Sequence, residues 1–134
     1  MITKIEHLGF AVAGASAAVP LFEKLLGTKV TKSEEVTSEK VRTWFFPVGE
    51  SQIELLESLD PEGVIARYIS RRGEGMHHVA FLCDNLEQEI IRLKDSGFEF
   101  IGEGTKKGAD NKRIIFLHPK CTAGVLVELC EEIR

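Results

Sequence analysis

Cysteine is scarce here and poorly placed for either of its structural uses. The 134 residues hold three, Cys83, Cys121 and Cys130. An odd number cannot all pair, and none of the spacings is that of a metal knuckle. The chain is therefore neither a disulfide scaffold nor a cysteine zinc site. Reduced thiols of this kind predict a cytoplasmic protein. Long apolar runs are also missing. No stretch reaches the ~18 apolar residues that span a bilayer, and the N-terminus carries no signal-peptide run, so no membrane partner is expected. Basic residues are not in excess either. Seventeen Lys and Arg against 21 Asp and Glu leave a net charge of −4, which argues against nucleic acid as a partner.

What is present is enough apolar material for a core, 43% of the residues. The length predicts one domain, 1–134. A chain of this size buries roughly two-thirds of its unfolded surface, so it needs no covalent staple.

The chain also says the same thing twice. Ile5-Glu6-His7-Leu8-Gly9-Phe10-Ala11-Val12 lines up with Met76-His77-His78-Val79-Ala80-Phe81-Leu82-Cys83, 71 positions later. His7 falls on His78, and Gly9 on Ala80. Further on, Gln52-Ile53-Glu54-Leu55-Leu56-Glu57 matches Leu126-Val127-Glu128-Leu129-Cys130-Glu131. Each half begins with a His on a strand and ends with a Glu on a strand, 47 residues apart in the first and 50 in the second. An internal repeat is first a fold signal. One that repeats its His and its Glu is a site signal as well.

Each half reads β-α-β-β-β. In the first, the periodicity predicts a strand over 5–12, then a helix capped by Ser16 that runs to Leu26 with Gly27 at its end. β-rich sequence follows over 28–35, and a hairpin over 41–57 turns at Gly49-Glu50. Residues 58–74 form a connector with a short helix opened by Pro61. In the second half a strand leads into Asp84-Asn85, a cap signal, and an amphipathic helix over 86–96. A strand at 98–101, a glycine-rich loop at 102–110, a strand at 113–117, a His118-Pro119-Lys120 turn and a last strand at 125–131 complete it. The modules are thus 1–57 and 75–134.

Side chains alternate across a strand, so His77 and His78 face opposite ways, and the repeat register selects His78. His7, Glu54, His78 and Glu128 all lie inside apolar strands. Burying four such groups without partners would cost several kcal/mol. Two imidazoles and two carboxylates are nitrogen and oxygen ligands suited to one divalent cation. Gln52, one pleat from Glu54, is the alternative ligand to it. Gly9 and Ala80, each next to its His on the same face, are small and leave room beside the ion. Lys106, Lys107, Lys112, Arg113 and Lys120 gather positive charge in the second half, as a phosphate-bearing ligand would favour.

With these motifs in view, the sequence resembles the vicinal oxygen chelate superfamily, whose members pair βαβββ modules around a divalent metal. Within it the resemblance is to the methylmalonyl-CoA epimerase family. It rests on the two His-bearing strands and on Ile115-Phe116-Leu117-His118-Pro119-Lys120 followed by Gly124-Val125-Leu126-Val127-Glu128-Leu129. It implies an α+β fold of two such modules, forming curved mixed sheets around a metal-binding cleft. It implies one ion per chain, Co, Ni, Mn or Zn, held by His7, Glu54, His78 and Glu128. Glu54 and Glu128 would also be the acid/base groups. His118, Lys120 and Arg113 would face an acyl-CoA substrate, and the chain would form a homodimer.

The implied reaction interconverts (R)- and (S)-methylmalonyl-CoA, a step of propionate metabolism, by removing the α-proton to give a metal-stabilised enolate. In one respect the chain departs from the family. Certain epimerases carry a further Glu where this chain has Thr43, and Glu39 is the nearest carboxylate. A glyoxalase-I-like isomerase (a lactoylglutathione lyase) would use the same ligands. A metal-free binding module of the bleomycin-sequestering kind would lack them.

Overall fold

The strand predicted from Ile5 starts earlier. In the computed structural model, which describes every residue from 1 to 134, β1 runs Ile2–Ala11. Then follow α1 (Ala15–Leu26), β2 (Lys32–Val36), β3 (Val41–Val48), β4 (Ser51–Ser58), α2 (Val64–Arg72), β5 (Gly75–Cys83), α3 (Leu86–Asp95), β6 (Phe100–Lys107), β7 (Lys112–Leu117) and β8 (Val127–Glu132). The fold is mixed α+β. No helix is long and apolar enough to cross a membrane. The three cysteines form no disulfide.

The chain divides into two compact units, Leu8–His77 and Met1–His7 with His78–Arg134. In the first, the strand order is β2-β3-β4-β1, with β2, β3 and β4 antiparallel. The β3–β4 hairpin turns at Gly49, whose φ of 59° is one that glycine adopts without strain. Helix α1 packs on Val12, Phe46 and Leu55 through Ala18 and Phe22. Helix α2 packs on Ala11, Val41 and Leu56 through Ile65, Tyr68 and Ile69.

In the second unit, the start of β1 lies beside β5, and the order continues β8-β7-β6. β5 and β8 are parallel, with Ala80 opposite Glu128; β7 is antiparallel to both β8 and β6. Helix α3 seals one face through Leu86, Ile90 and Leu93 against Cys83, Ile115, Leu117 and Leu129. The crossover from β5 through α3 is what parallel pairing demands, since two parallel strands cannot be joined by a tight turn.

Several boundaries differ from the sequence reading, each for a local reason. Helix α1 is capped at Gly14, not Ser16, and no side chain of its own segment caps it. Glu57 on β4 does so instead, its Oε2 accepting from the Ala15 N–H at 3.0 Å. The repeat partner Glu131 does the same for α3, accepting from the Leu86 N–H at 3.2 Å. Asn85 adds the cap expected from sequence, its Oδ1 accepting from the Gln88 N–H. Pro61 lies ahead of α2, whose N-cap is Gly63. The predicted 102–110 loop is mostly strand: β6 continues to Lys107, with a register irregularity between Ile101 and Lys106.

The capping by Glu57 is open to test. Glu57→Ala removes an anion from the positive end of α1 and strips its first N–H of an acceptor. The substitution should cost about 0.5–2 kcal/mol in urea unfolding, with Glu57→Gln costing less because an amide oxygen still accepts.

Candidate metal centre

Three of the four proposed ligands lie within one compact unit, on strands that stand side by side. His7 is on β1, His78 on β5 and Glu128 on β8, each 5–7% exposed. His7 Nε2 is 3.0 Å from His78 Nε2. Glu128 brings Oε2 to 3.8 Å from His7 Nε2 and Oε1 to 3.6 Å from His78 Nε2. The rings stand edge to face, 86° apart. Donors bound at about 2.0–2.2 Å to one first-row cation lie about 3–3.5 Å from one another, close to the separations found here.

The Glu6 contact of His7 suits that use. His7 Nδ1 is 2.7 Å from Glu6 Oε1. A carboxylate only accepts, so Nδ1 carries the hydrogen, and the ring in its neutral form would present a lone pair at Nε2. Two nitrogens and a carboxylate, converging and buried, form a donor set that fits a divalent ion.

The surroundings leave space. Ala80, fully buried, is paired with Glu128 in the β5–β8 register. A larger side chain would crowd the carboxylate. Phe116, opposite Glu128 on β7, stands edge-on to the His78 ring at 6.0 Å. The same phenylalanine lines a cleft of about 430 Å³ with Ile115 and the 101–106 segment of β6. The strand irregularity that sequence reading took for a loop forms one wall of this cleft.

The other expected residues fall as follows. Glu54 is buried on β4 in the Leu8–His77 unit, opposite Phe45 on β3. Gln52 lies on the same strand opposite Pro47. His77 turns its ring onto Tyr68, centroids 4.9 Å apart, and burial lowers its pKa. Thr43 is fully buried on β3 between Glu34 and Leu56. Glu39 ends a short 3-10 turn. His118 is exposed and its Nδ1 accepts from the Lys120 N–H. Lys120, also exposed, pairs with Glu99 at 3.1 Å. Arg113 pairs with Glu87 and Glu131.

Lys112 corrects the charge-patch reading. It is 6% exposed, with Nζ 3.1 Å from Asp110 Oδ2 and 4.0 Å from Glu6 Oε2. Burial alone would lower its pKa, but Glu6 and Asp110 outweigh that and hold it above the usual lysine value. It is a structural cation, not part of a surface patch. Sequence reading also passed over Glu6, which strand alternation assigns to the face opposite His7. The only hint was that its repeat partner is His77 and not an apolar residue.

A family model described as the glyoxalase/bleomycin resistance protein/dioxygenase superfamily matches residues 6–116. An uncharacterized Bacillus subtilis protein, YqjC, is 35% identical over 97% of this chain and 93% of its own length. Human mitochondrial methylmalonyl-CoA epimerase is 32% identical over 94% of this chain and 72% of that protein. A solved Streptomyces coelicolor methylmalonyl-CoA epimerase in complex with 2-nitronate-propionyl-CoA is 28% identical. It superposes with a TM-score of 0.93 over 98% of this chain and 96% of that one. The fold is therefore that of the vicinal oxygen chelate proteins. The chain belongs to that superfamily and, within it, to the methylmalonyl-CoA epimerase family of isomerases.

The donor geometry predicts different fates for adjacent histidines. His78→Ala should weaken binding of Co²⁺ or Zn²⁺ by about a hundredfold or more, exceeding the loss from removing an outer-shell partner. His77→Ala should leave it near the unsubstituted value. Competition against a chromophoric chelator measures both, and the reverse order would show the register to be wrong.

Proposed function

We propose that this chain interconverts the epimers of methylmalonyl-CoA by moving the proton on the carbon between the carboxylate and the thioester. The observation that carries the reading is the buried convergence of His7 Nε2, His78 Nε2 and the Glu128 carboxylate in a member of this family. His7, His78 and Glu128 would hold one divalent ion. Repeat equivalence to Glu128 assigns Glu54 the fourth position. Bound there, the ion supplies Lewis-acid stabilisation of the negative charge that grows on the thioester oxygen.

The proton work then falls to the chain's own carboxylates. A base takes the α-proton, and the electron pair left behind moves into the thioester carbonyl. Return of a proton from the opposite face completes inversion. Glu128 is assigned the first transfer, because it matches the family's catalytic Glu as well as its ligand, and Glu54 the second. A buried carboxylate freed from its ligand role gains proton affinity, as general-base work near neutral pH requires.

The acyl group has a suitable approach in the cleft beside Phe116, whose volume falls in the usual range for small-molecule sites. The phosphates of CoA would be met by Lys120 and Arg113, with His118 at the rim. For Arg113 that requires release from Glu87 and Glu131. A homodimer belongs to this reading on the family resemblance, and three unpaired thiols suit a cytoplasmic setting.

The test is deuterium wash-in at the α-carbon in D₂O, started separately from each epimer, with and without chelator. Exchange from both epimers that chelation abolishes supports the reading. Conversion of a glutathione hemithioacetal without such exchange would replace it with a glyoxalase-type isomerase. Glu128→Gln should keep the ion through its amide oxygen yet lose about 10²–10⁴-fold in turnover, the usual yield of general-base catalysis. Near-normal exchange from both epimers with the ion still bound would make Glu128 a ligand only.

A further inference from the structure

A buried chain of charges lies behind His7. Glu6 is 5% exposed, and its Oε1 accepts from the His7 Nδ1–H at 2.7 Å. Its other oxygen, Oε2, is 4.0 Å from Nζ of Lys112, which is 6% exposed. Lys112 is anchored in turn by Asp110, at 3.1 Å to the carboxylate and 3.3 Å to the backbone oxygen. Asp110 and Asn111 hold left-handed backbone, φ 58° and 53°, at the turn leading into β7. That turn folds the Asp110 carboxylate back toward the lysine two residues on.

A carboxylate against the far nitrogen of a ligating imidazole does three things. It fixes the tautomer, it fixes the ring's rotation, and it makes the near nitrogen a better donor. The carboxylate must itself be held, and a buried lysine holds it by charge. Leucine or valine would fill the place of either residue more simply, so burial of this ion pair calls for a reason beyond stability.

We propose that Glu6 is the positioning residue of His7 and that Lys112, anchored by Asp110, fixes Glu6 in that role. The proposal rests on His7 being a metal ligand, as above.

Two readouts on the full-length protein separate the proposal from that reading. The first is the ¹⁵N shift pattern of the His7 ring without added metal. The native protein should show Nδ1 protonated and Nε2 bare, and Glu6→Ala should give a mixture of tautomers. The second is Co²⁺ affinity by chelator competition. Glu6→Ala should lose about 10–100-fold, as removal of such outer partners does. Glu6→Gln, which keeps an uncharged acceptor, should lose less.

Lys112→Met should lower affinity by loosening Glu6, and adding Glu6→Gln to it should cost little more, because both act along one path. Should Glu6→Ala not fold, the Glu6→Gln/Lys112→Met pair, which leaves no lone buried charge, decides the matter. Native Co²⁺ affinity in folded Glu6→Ala, or in the double variant, with the His7 nitrogen shifts unchanged, overturns the proposal. If the native protein fails to bind Co²⁺ while its tautomer pattern is as expected, the ligand assignment fails and the Glu6–His7 contact stands.

Discussion

Two imidazoles and a carboxylate held out of water set the terms for the unit around them. His7, His78 and Glu128 come from β1, β5 and β8, and their polar atoms approach within 4 Å of one another. Hydration lost on burial must be replaced by partners of comparable strength, or the groups would be better outside. A carboxylate left alone there would destabilise the fold by about 3–5 kcal/mol, the cost typical of an uncompensated buried charge. Three strands from distant parts of the chain must therefore sit in fixed register. The parallel pairing of Ala80 with Glu128 supplies that on one side. The antiparallel pairing of Phe116 with Glu128 supplies it on the other.

Much of this was legible because strands follow simple geometry. A period of two separates His77 from His78, and the structure turns the first ring onto Tyr68 and the second toward His7. The helix stop at Gly27 and the Asn85 cap were legible because each uses a local rule that one residue type satisfies best. What failed to show were interactions made across long separations. No local pattern says that Glu57 will cap α1 from β4 and excuse Ser16 from the task. The glycines of 102–110 promised a loop, but β7 offers a partner strand, and Lys106 and Lys107 pair with Ile114 and Arg113 in spite of them. Lys112 was misplaced for the same reason. Lysine is normally solvated, and only the three-dimensional neighbourhood of Asp110 and Glu6 makes it an interior residue.

The repeat reaches further into the structure than its sequence identity suggests. Glu57 and Glu131, equivalent by register, each accept from the first N–H of a helix in their own unit. Glu54 and Glu128, three residues earlier, each lie opposite a phenylalanine on the neighbouring strand, Phe45 and Phe116. One strand pattern thus performs two jobs in each half. Its first Glu is buried within the sheet and is the one proposed to serve the ion, and its terminal Glu fastens a helix. The halves diverge at the residue before each His. Glu6 braces His7, whereas His77 packs on Tyr68.

That divergence bears on the proposed reaction. Thr43, buried on β3, has no pKa useful for proton transfer, so in the proposed reaction the burden would fall on the carboxylates assigned to the metal centre. A carboxylate cannot hold a cation and an α-proton with the same electron pairs at once. It must loosen from one to take the other, and it can do so without losing the ion only if the remaining donors are firmly placed. A rigid His7 meets that need better than a mobile one, and rigidity is what Glu6 and Lys112 would confer. Without a carboxylate at position 43, the proposed reaction would therefore place a higher demand on the stiffness of its histidines. The buried Glu6–Lys112 pair, which a well-packed apolar pair could match for stability, then has a reason to be retained.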